Sequence, residues 1–173
     1  MPQAANFSAV ELLRDGRRIG IRAIKPSDRA ALLAAVDHAS SRSRYRRFFG
    51  VKPGFSEKEI SYFLNVDFVN HVALVAVTSE DGREIIVGGG RYVVVVPGTA
   101  ELALMIIDEY QGKGLGSALL RDLVALARSA GLKELIAELL PDNFAMLKVF
   151  ENSGLGVSTT REAGVVQVSL RLS

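Results

Sequence analysis

Three glycines stand at every second position after Gln111, in the string QGKGLGSALL. An apolar, strand-like run precedes the string, and an apolar pattern with helical spacing follows it. A glycine-rich turn between a strand and a helix exposes backbone N–H groups beside the positive end of the helix dipole, and both attract phosphate. Gly112, Gly114 and Gly116 therefore predict a phosphate-binding loop, where Lys113 either adds a positive charge or stays solvated.

The glycine spacing separates this loop from two other phosphate-binding loops. The chain contains no G-x-x-x-x-G-K-[ST] string. The dinucleotide pattern G-x-G-x-x-G also fails, because the spacing from Gly112 is G-x-G-x-G and no βαβ repeat surrounds it. The pattern Q/R-x-x-G-x-G/A is matched in full by Gln111, Gly114 and Gly116.

Two glutamates in predicted strands are candidates for a general base. Glu101 is the only charged residue in TAELALMII, and a carboxylate on a strand that is covered on both faces is costly unless it is used or paired. Glu101 either acts as a base or pairs with an arginine such as Arg91. Glu138, in the strand LIAELL, is the alternative base. We expect Asp108 and Glu109, where the loop starts, to be turn or surface residues.

The elements that must position these residues follow from hydrophobic periodicity and from turn and cap signals. Their order, ββααβββαβαββ, predicts an α/β (α+β layered) fold. We expect a mixed, mostly antiparallel sheet of about seven strands, flanked by about four helices. The chain shows no linker, repeat or low-complexity segment, so we predict one domain over residues 1–173.

Composition excludes several kinds of chemistry. The 173 residues include no cysteine and only two histidines, which leaves no disulfide, thiolate nucleophile or cysteine-based zinc site, and we expect no metal. The start of the chain resembles no signal peptide, and no apolar run is long enough to cross a membrane, so we expect a cytoplasmic protein. The net charge of +2 does not by itself favour nucleic acid.

The string QGKGLGSALL resembles the acetyl-CoA binding motif of the GNAT superfamily of N-acetyltransferases. PDNFAMLKVFENSGL resembles the next motif of that family, and the element order matches the GNAT fold over about residues 17–172. The resemblance implies that acetyl-CoA is the co-substrate, with its pantetheine arm along the strand before the loop and its pyrophosphate on the loop. The implied cofactor-binding residues are Met105, Ile106, Ile107, Gln111, Gly112, Lys113, Gly114, Leu115, Gly116, Ser117 and Asn143. Asn143 also fits the N-cap of the helix that it precedes.

A finer resemblance concerns the acceptor. SRSRYRRFFG, ALVAV, AELA and YQGKGLGSALL resemble the GNAT domain of bacterial protein lysine acetyltransferases, which modify acyl-CoA synthetases and related proteins. This implies transfer of an acetyl group to a protein lysine, with Glu101 as general base. Phe150 stands where many GNAT enzymes place a tyrosine acid. A small-amine acetyltransferase and a non-catalytic acetyl-CoA binder remain open.

A basic connection between the first two predicted helices has several possible roles. It contains four arginines interleaved with three aromatic residues: Arg42, Arg44, Arg46 and Arg47 with Tyr45, Phe48 and Phe49. In GNAT folds this region borders the acceptor groove, so it could dock an acidic protein surface or reach the 3′-phosphate of CoA. A solvated run and RNA stacking are the alternatives.

Overall fold

The computed structural model describes residues 3–38 and 56–172. Its helices and strands follow the predicted order ββααβββαβαββ. The strands are β1 (Ser8–Leu12), β2 (Arg18–Ala23), β3 (His71–Glu80), β4 (Arg83–Val96), β5 (Thr99–Ile106), β6 (Glu134–Leu139), β7 (Gly156–Glu162) and β8 (Val165–Arg171). The helices are α1 (Arg29–His38), α2 (Glu57–Leu64), α3 (Leu115–Ser129) and α4 (Phe144–Glu151). None of the helices in the described ranges is long and apolar enough to cross a membrane.

All eight strands form one sheet in the order β1-β2-β3-β4-β5-β6-β8-β7. Neighbouring strands are antiparallel except β5 and β6, which are parallel. The mixed, mostly antiparallel α/β fold is therefore confirmed, with one strand more than the expected seven. The edge strand β7 is polar and almost wholly exposed, so it lacks the alternation by which the other strands are recognised.

Helices cover both faces of the sheet, and they pack closely against the three consecutive glycines of β4, residues 88–90. A Cβ on Gly90 would lie 2.5 Å from Leu104 Cδ2 and 2.7 Å from Leu123 Cδ1, so glycine lets α3 approach this face. Gly89 points to the opposite face, beneath α1 and α2, where a Cβ would lie 3.0 Å from the carbonyl oxygen of Leu74. Coverage on both faces explains why most of β3 is buried.

Candidate active site

Strands β5 and β6 pair only at their beginnings and then diverge. The pairing joins residues 99–101 to residues 134–136, and the last pair is Glu101 with Ile136. Beyond it, β5 continues to Ile106 and, within residues 3–38 and 56–172, pairs only with β4, so its other edge has no strand partner in these ranges. Met105 and Ile106 of this open edge line a cleft of about 280 Å³ between β5, the glycine loop and α4, called the central cleft below.

The glycine loop connects this open edge to α3. Gly112 and Gly114 have φ of +72° and +95°, a left-handed backbone that other residues adopt with strain. Gly114 is the N-cap of α3, and the first intrahelical bond runs from Ala118 N–H to the Gly114 carbonyl. The amides of residues 115–117 precede that bond, so they have no acceptor within the helix. The loop thus presents donors at the end of the central cleft.

Gln111 and Gly116 hold the loop close to β5. The Gln111 side-chain amide donates to the Ile106 carbonyl at 3.0 Å. A Cβ on Gly116 would lie 3.3 Å from Ile106 Cδ1 and 3.5 Å from Val149 Cγ2, so glycine lets α3 begin between β5 and α4. Each fixed position of the Q/R-x-x-G-x-G/A pattern, Gln111, Gly114 and Gly116, therefore has a structural role.

The structure brings eight of the eleven predicted cofactor-binding residues to the central cleft. They are Met105, Ile106, Gln111, Gly112, Gly114, Gly116, Ser117 and Asn143. Of the others, Ile107 is buried and its N–H donates to the Val87 carbonyl, and the Leu115 side chain lies in the core. Lys113 lines a neighbouring groove. The roles of all eleven residues remain predictions.

The central cleft also has walls that were not predicted from the sequence. From α4 and the residue after it come Ala145, Lys148, Val149 and Asn152, whose spacing of three and four residues places them on one helix face. Such spacing is visible in the sequence once the cleft is known. Arg14, from the turn between β1 and β2, also lines the cleft, and nothing local in the sequence signals this.

Asn143 and Phe150 occupy the two ends of α4. Asn143 is the N-cap, and its side-chain oxygen accepts from the Met146 N–H at 3.3 Å, as its position in the sequence predicts. Phe150 is buried in the hydrophobic core with 2 % of its surface exposed. Its ring has no proton to give, so it cannot act as an acid.

The two candidate bases lie on either side of the divergence. Glu101 belongs to the last β5–β6 pair, and Glu138 lies two residues beyond Ile136 on β6. Both side chains are exposed, so Glu101 does not carry the cost that a carboxylate on a strand covered on both faces would have. The strand at Glu101 buries only one face, as its alternating exposure shows. Asp108 and Glu109 form an exposed 3-10 turn, as expected.

An arginine lines a small cavity on the face of the sheet that carries Glu101. Arg91 lies beside Ala103 and Met105 in an apolar cavity of about 60 Å³ beneath α1 and α2. Its Nη1 lies 2.8 Å from His71 Nε2, and its guanidinium stacks 4.8 Å from the Phe63 ring centre. Burial and the charge of Arg91 lower the pKa of His71 to about 4, so the imidazole is neutral at physiological pH. His71 thus helps to hold Arg91 in place.

The basic connection, with Arg42, Arg44, Arg46, Arg47, Tyr45, Phe48 and Phe49, lies outside the described residues. Its predicted role in acceptor binding has no structural description.

Comparison with known proteins identifies the family. The sequence model of the acetyltransferase (GNAT) domain matches residues 18–156, and the chain belongs to this family. An acetyltransferase of Pseudomonas aeruginosa is 34% identical over 127 residues, which are 73% of this chain and 68% of that protein. The fold, the cleft and these relatives define a GNAT-type acetyltransferase.

Two Pat proteins are also similar. The acetyltransferase Pat of Mycolicibacterium smegmatis is 30% identical over 160 residues, 91% of this chain and 47% of that protein, so the chain spans about half of its length. The crystal structure of the GNAT domain of S. lividans PAT superposes with a TM-score of 0.85 and 34% identity, covering 95% of this chain and 96% of that one. The resemblance to this branch of the family is thus confirmed.

Proposed function

We propose that this protein transfers the acetyl group of acetyl-CoA to an amine, and that the amine is a lysine side chain of another protein. The open edge of β5 carries the proposal. It offers backbone hydrogen-bonding groups to a pantetheine arm, as a neighbouring strand would. It ends at the glycine loop, whose amides suit the pyrophosphate.

The reaction needs a base and two proton transfers. A lysine amine has a pKa of about 10.4 in water and must lose a proton before it attacks the thioester carbon. Glu101 lies where β5 and β6 part, and in this proposal it takes that proton through a water molecule. The tetrahedral intermediate collapses with cleavage of the C–S bond, and the second amine proton goes to the thiolate of CoA through solvent, because Phe150 cannot supply one.

A protein acceptor is supported by the exposure of Glu101 and by the similarity to the Pat proteins. An acyl-CoA synthetase is one such acceptor to test. A small-amine acceptor is favoured instead by Arg91, a fixed cation in the apolar cavity on the same face of the sheet. That cavity of about 60 Å³ is small for a whole amino acid, so we place the protein acceptor first.

Transfer of label from acetyl-CoA tests this proposal. The purified protein is incubated with candidate acceptor proteins, including acyl-CoA synthetases, and separately with a panel of amino acids, polyamines and aminoglycosides. Label on a lysine, located by mass spectrometry, supports the proposal, and label on a small amine alone overturns its acceptor. Tight CoA binding without transfer to any acceptor would instead favour a non-catalytic binder.

A further inference from the structure

A second groove, larger than the central cleft, lies beside the glycine loop. This hairpin groove has a volume of about 550 Å³ and runs between the β1–β2 hairpin, α3 and the end of α4. It shares Arg14, Gly114, Ser117, Val149 and Asn152 with the central cleft, so the two are continuous around the start of α3. A ligand that is held by the loop can therefore extend from one into the other.

The hairpin groove is positively charged. Four cationic residues and one carboxylate line it: Arg14, Lys113, Arg121, Arg128 and Glu11. Arg121 pairs with Glu11, and Arg128 donates to the Leu172 carbonyl at 2.9 Å. The Arg14 guanidinium has no hydrogen bond or ion pair to any residue in the described ranges. The charge of Arg14, which packs beside the loop, is thus left uncompensated among the described residues.

Hydrogen bonds join the turn that carries Arg14 to the glycine loop and to the 3-10 turn before it. The Arg14 N–H donates to the Lys113 carbonyl at 3.1 Å. Arg17 stacks 4.0 Å from the centre of the Tyr110 ring and donates to the Glu109 carbonyl at 3.4 Å. A Cβ placed on Gly114 would lie 3.6 Å from Arg14 Nε, so the arginine side chain packs directly on the loop glycine. Arg14 is therefore positioned by the fold.

We propose that the hairpin groove binds the 3′-phosphoadenosine end of CoA and that Arg14 contacts its 3′-phosphate. This inference rests on the proposed function, because it takes acetyl-CoA as the donor. The groove supplies what that end needs: a cation for a phosphate and apolar walls, among them Leu12 and Val124, for the adenine. The turn lies before residue 18, where the match to the family model begins.

Calorimetric titration of the wild-type protein with CoA and with 3′-dephospho-CoA tests the inference without any acceptor. We expect removal of the 3′-phosphate to weaken binding by about tenfold, the worth of one charge-assisted hydrogen bond. Arg14→Gln should weaken CoA binding by a similar factor and leave 3′-dephospho-CoA binding unchanged. Arg18→Gln is the matched control, because Arg18 is exposed on the same hairpin but lines neither groove nor cleft.

The outcomes separate this inference from the proposed function. If CoA and 3′-dephospho-CoA bind equally, or if Arg14→Gln weakens both by the same factor, the role of Arg14 is wrong while the donor assignment stands. If the wild-type protein binds neither compound, the proposed function itself fails. A loss of affinity in Arg18→Gln equal to that in Arg14→Gln would show a general charge effect and also overturn the inference.

Discussion

Gly114→Ala separates the stability of the glycine loop from its binding role. Gly114 has φ +95°, and a Cβ there meets only Arg14, at 3.6 Å or more, so the change causes backbone strain rather than a clash. A left-handed backbone costs a residue with a Cβ about 1–2 kcal/mol. For a chain of this size that lowers the Tm by about 3–6 °C. Because strain also displaces the loop amides, we expect CoA binding to weaken by about tenfold or more.

Gly131→Ala is the control at the other end of α3. Gly131 has φ +82°, and a Cβ there would have no atom within 4 Å, so alanine at this position causes backbone strain similar to that of Gly114→Ala. Gly131 lines neither the central cleft nor the hairpin groove. We expect the same loss of Tm by differential scanning calorimetry and an unchanged CoA affinity. Equal CoA affinities in both variants, with equal losses of Tm, would refute the assignment of the loop as the CoA site.

Three further variants test the energetics of the fold. Asp122 is buried, and its Oδ2 has no hydrogen-bond partner among the described residues. Burial raises the pKa of Asp122, so the ionised carboxylate disfavours folding as pH rises through that pKa. Asp122→Asn should therefore add about 1 kcal/mol to the unfolding free energy at pH 8 and less at pH 4. A lower Tm at pH 8 would contradict this. Arg22 and the Lys25 N–H hold the pKa of Asp28 below its usual value despite burial, so its stabilisation is present above pH 4 and lost as pH falls further. Asp28→Asn should cost about 3 kcal/mol at pH 7, with the difference from wild type shrinking in acid, as chemical denaturation would show. Gly90→Ala should cost about 1–3 kcal/mol by overpacking, and an unchanged Tm would show that α3 can shift.

Local signals predicted most of the fold. The capping box that Ser56 and Glu59 suggest is present at α2, and Asn143 caps α4. The order of strands and helices was predicted because turn glycines and alternating apolar residues mark most of them. The predicted order already places two strands after α4, although the sheet was expected to have about seven strands; β7, exposed at nearly all positions, shows no apolar alternation.

Features that depend on distant contacts were not predicted. Whether Glu101 is covered was left open, because the sequence cannot tell which face of β5 a helix packs on. Arg14 lies nearly one hundred positions before the glycine loop and reaches it only through the β1–β2 hairpin, a contact without a local signal. The loop itself was recognisable, because its function depends on glycines at fixed local spacing.

The central claim is tested most directly by the rate of acetyl transfer in Glu101→Gln, measured in single turnovers at saturating acetyl-CoA with an acceptor identified by labelling. Glu138→Gln serves as the matched control on the other side of the divergence. The account predicts a loss of about 10²-fold or more for Glu101→Gln with CoA affinity unchanged, and a rate near wild type for Glu138→Gln. A wild-type rate in Glu101→Gln would contradict it, and a large loss in Glu138→Gln alone would assign the base to Glu138.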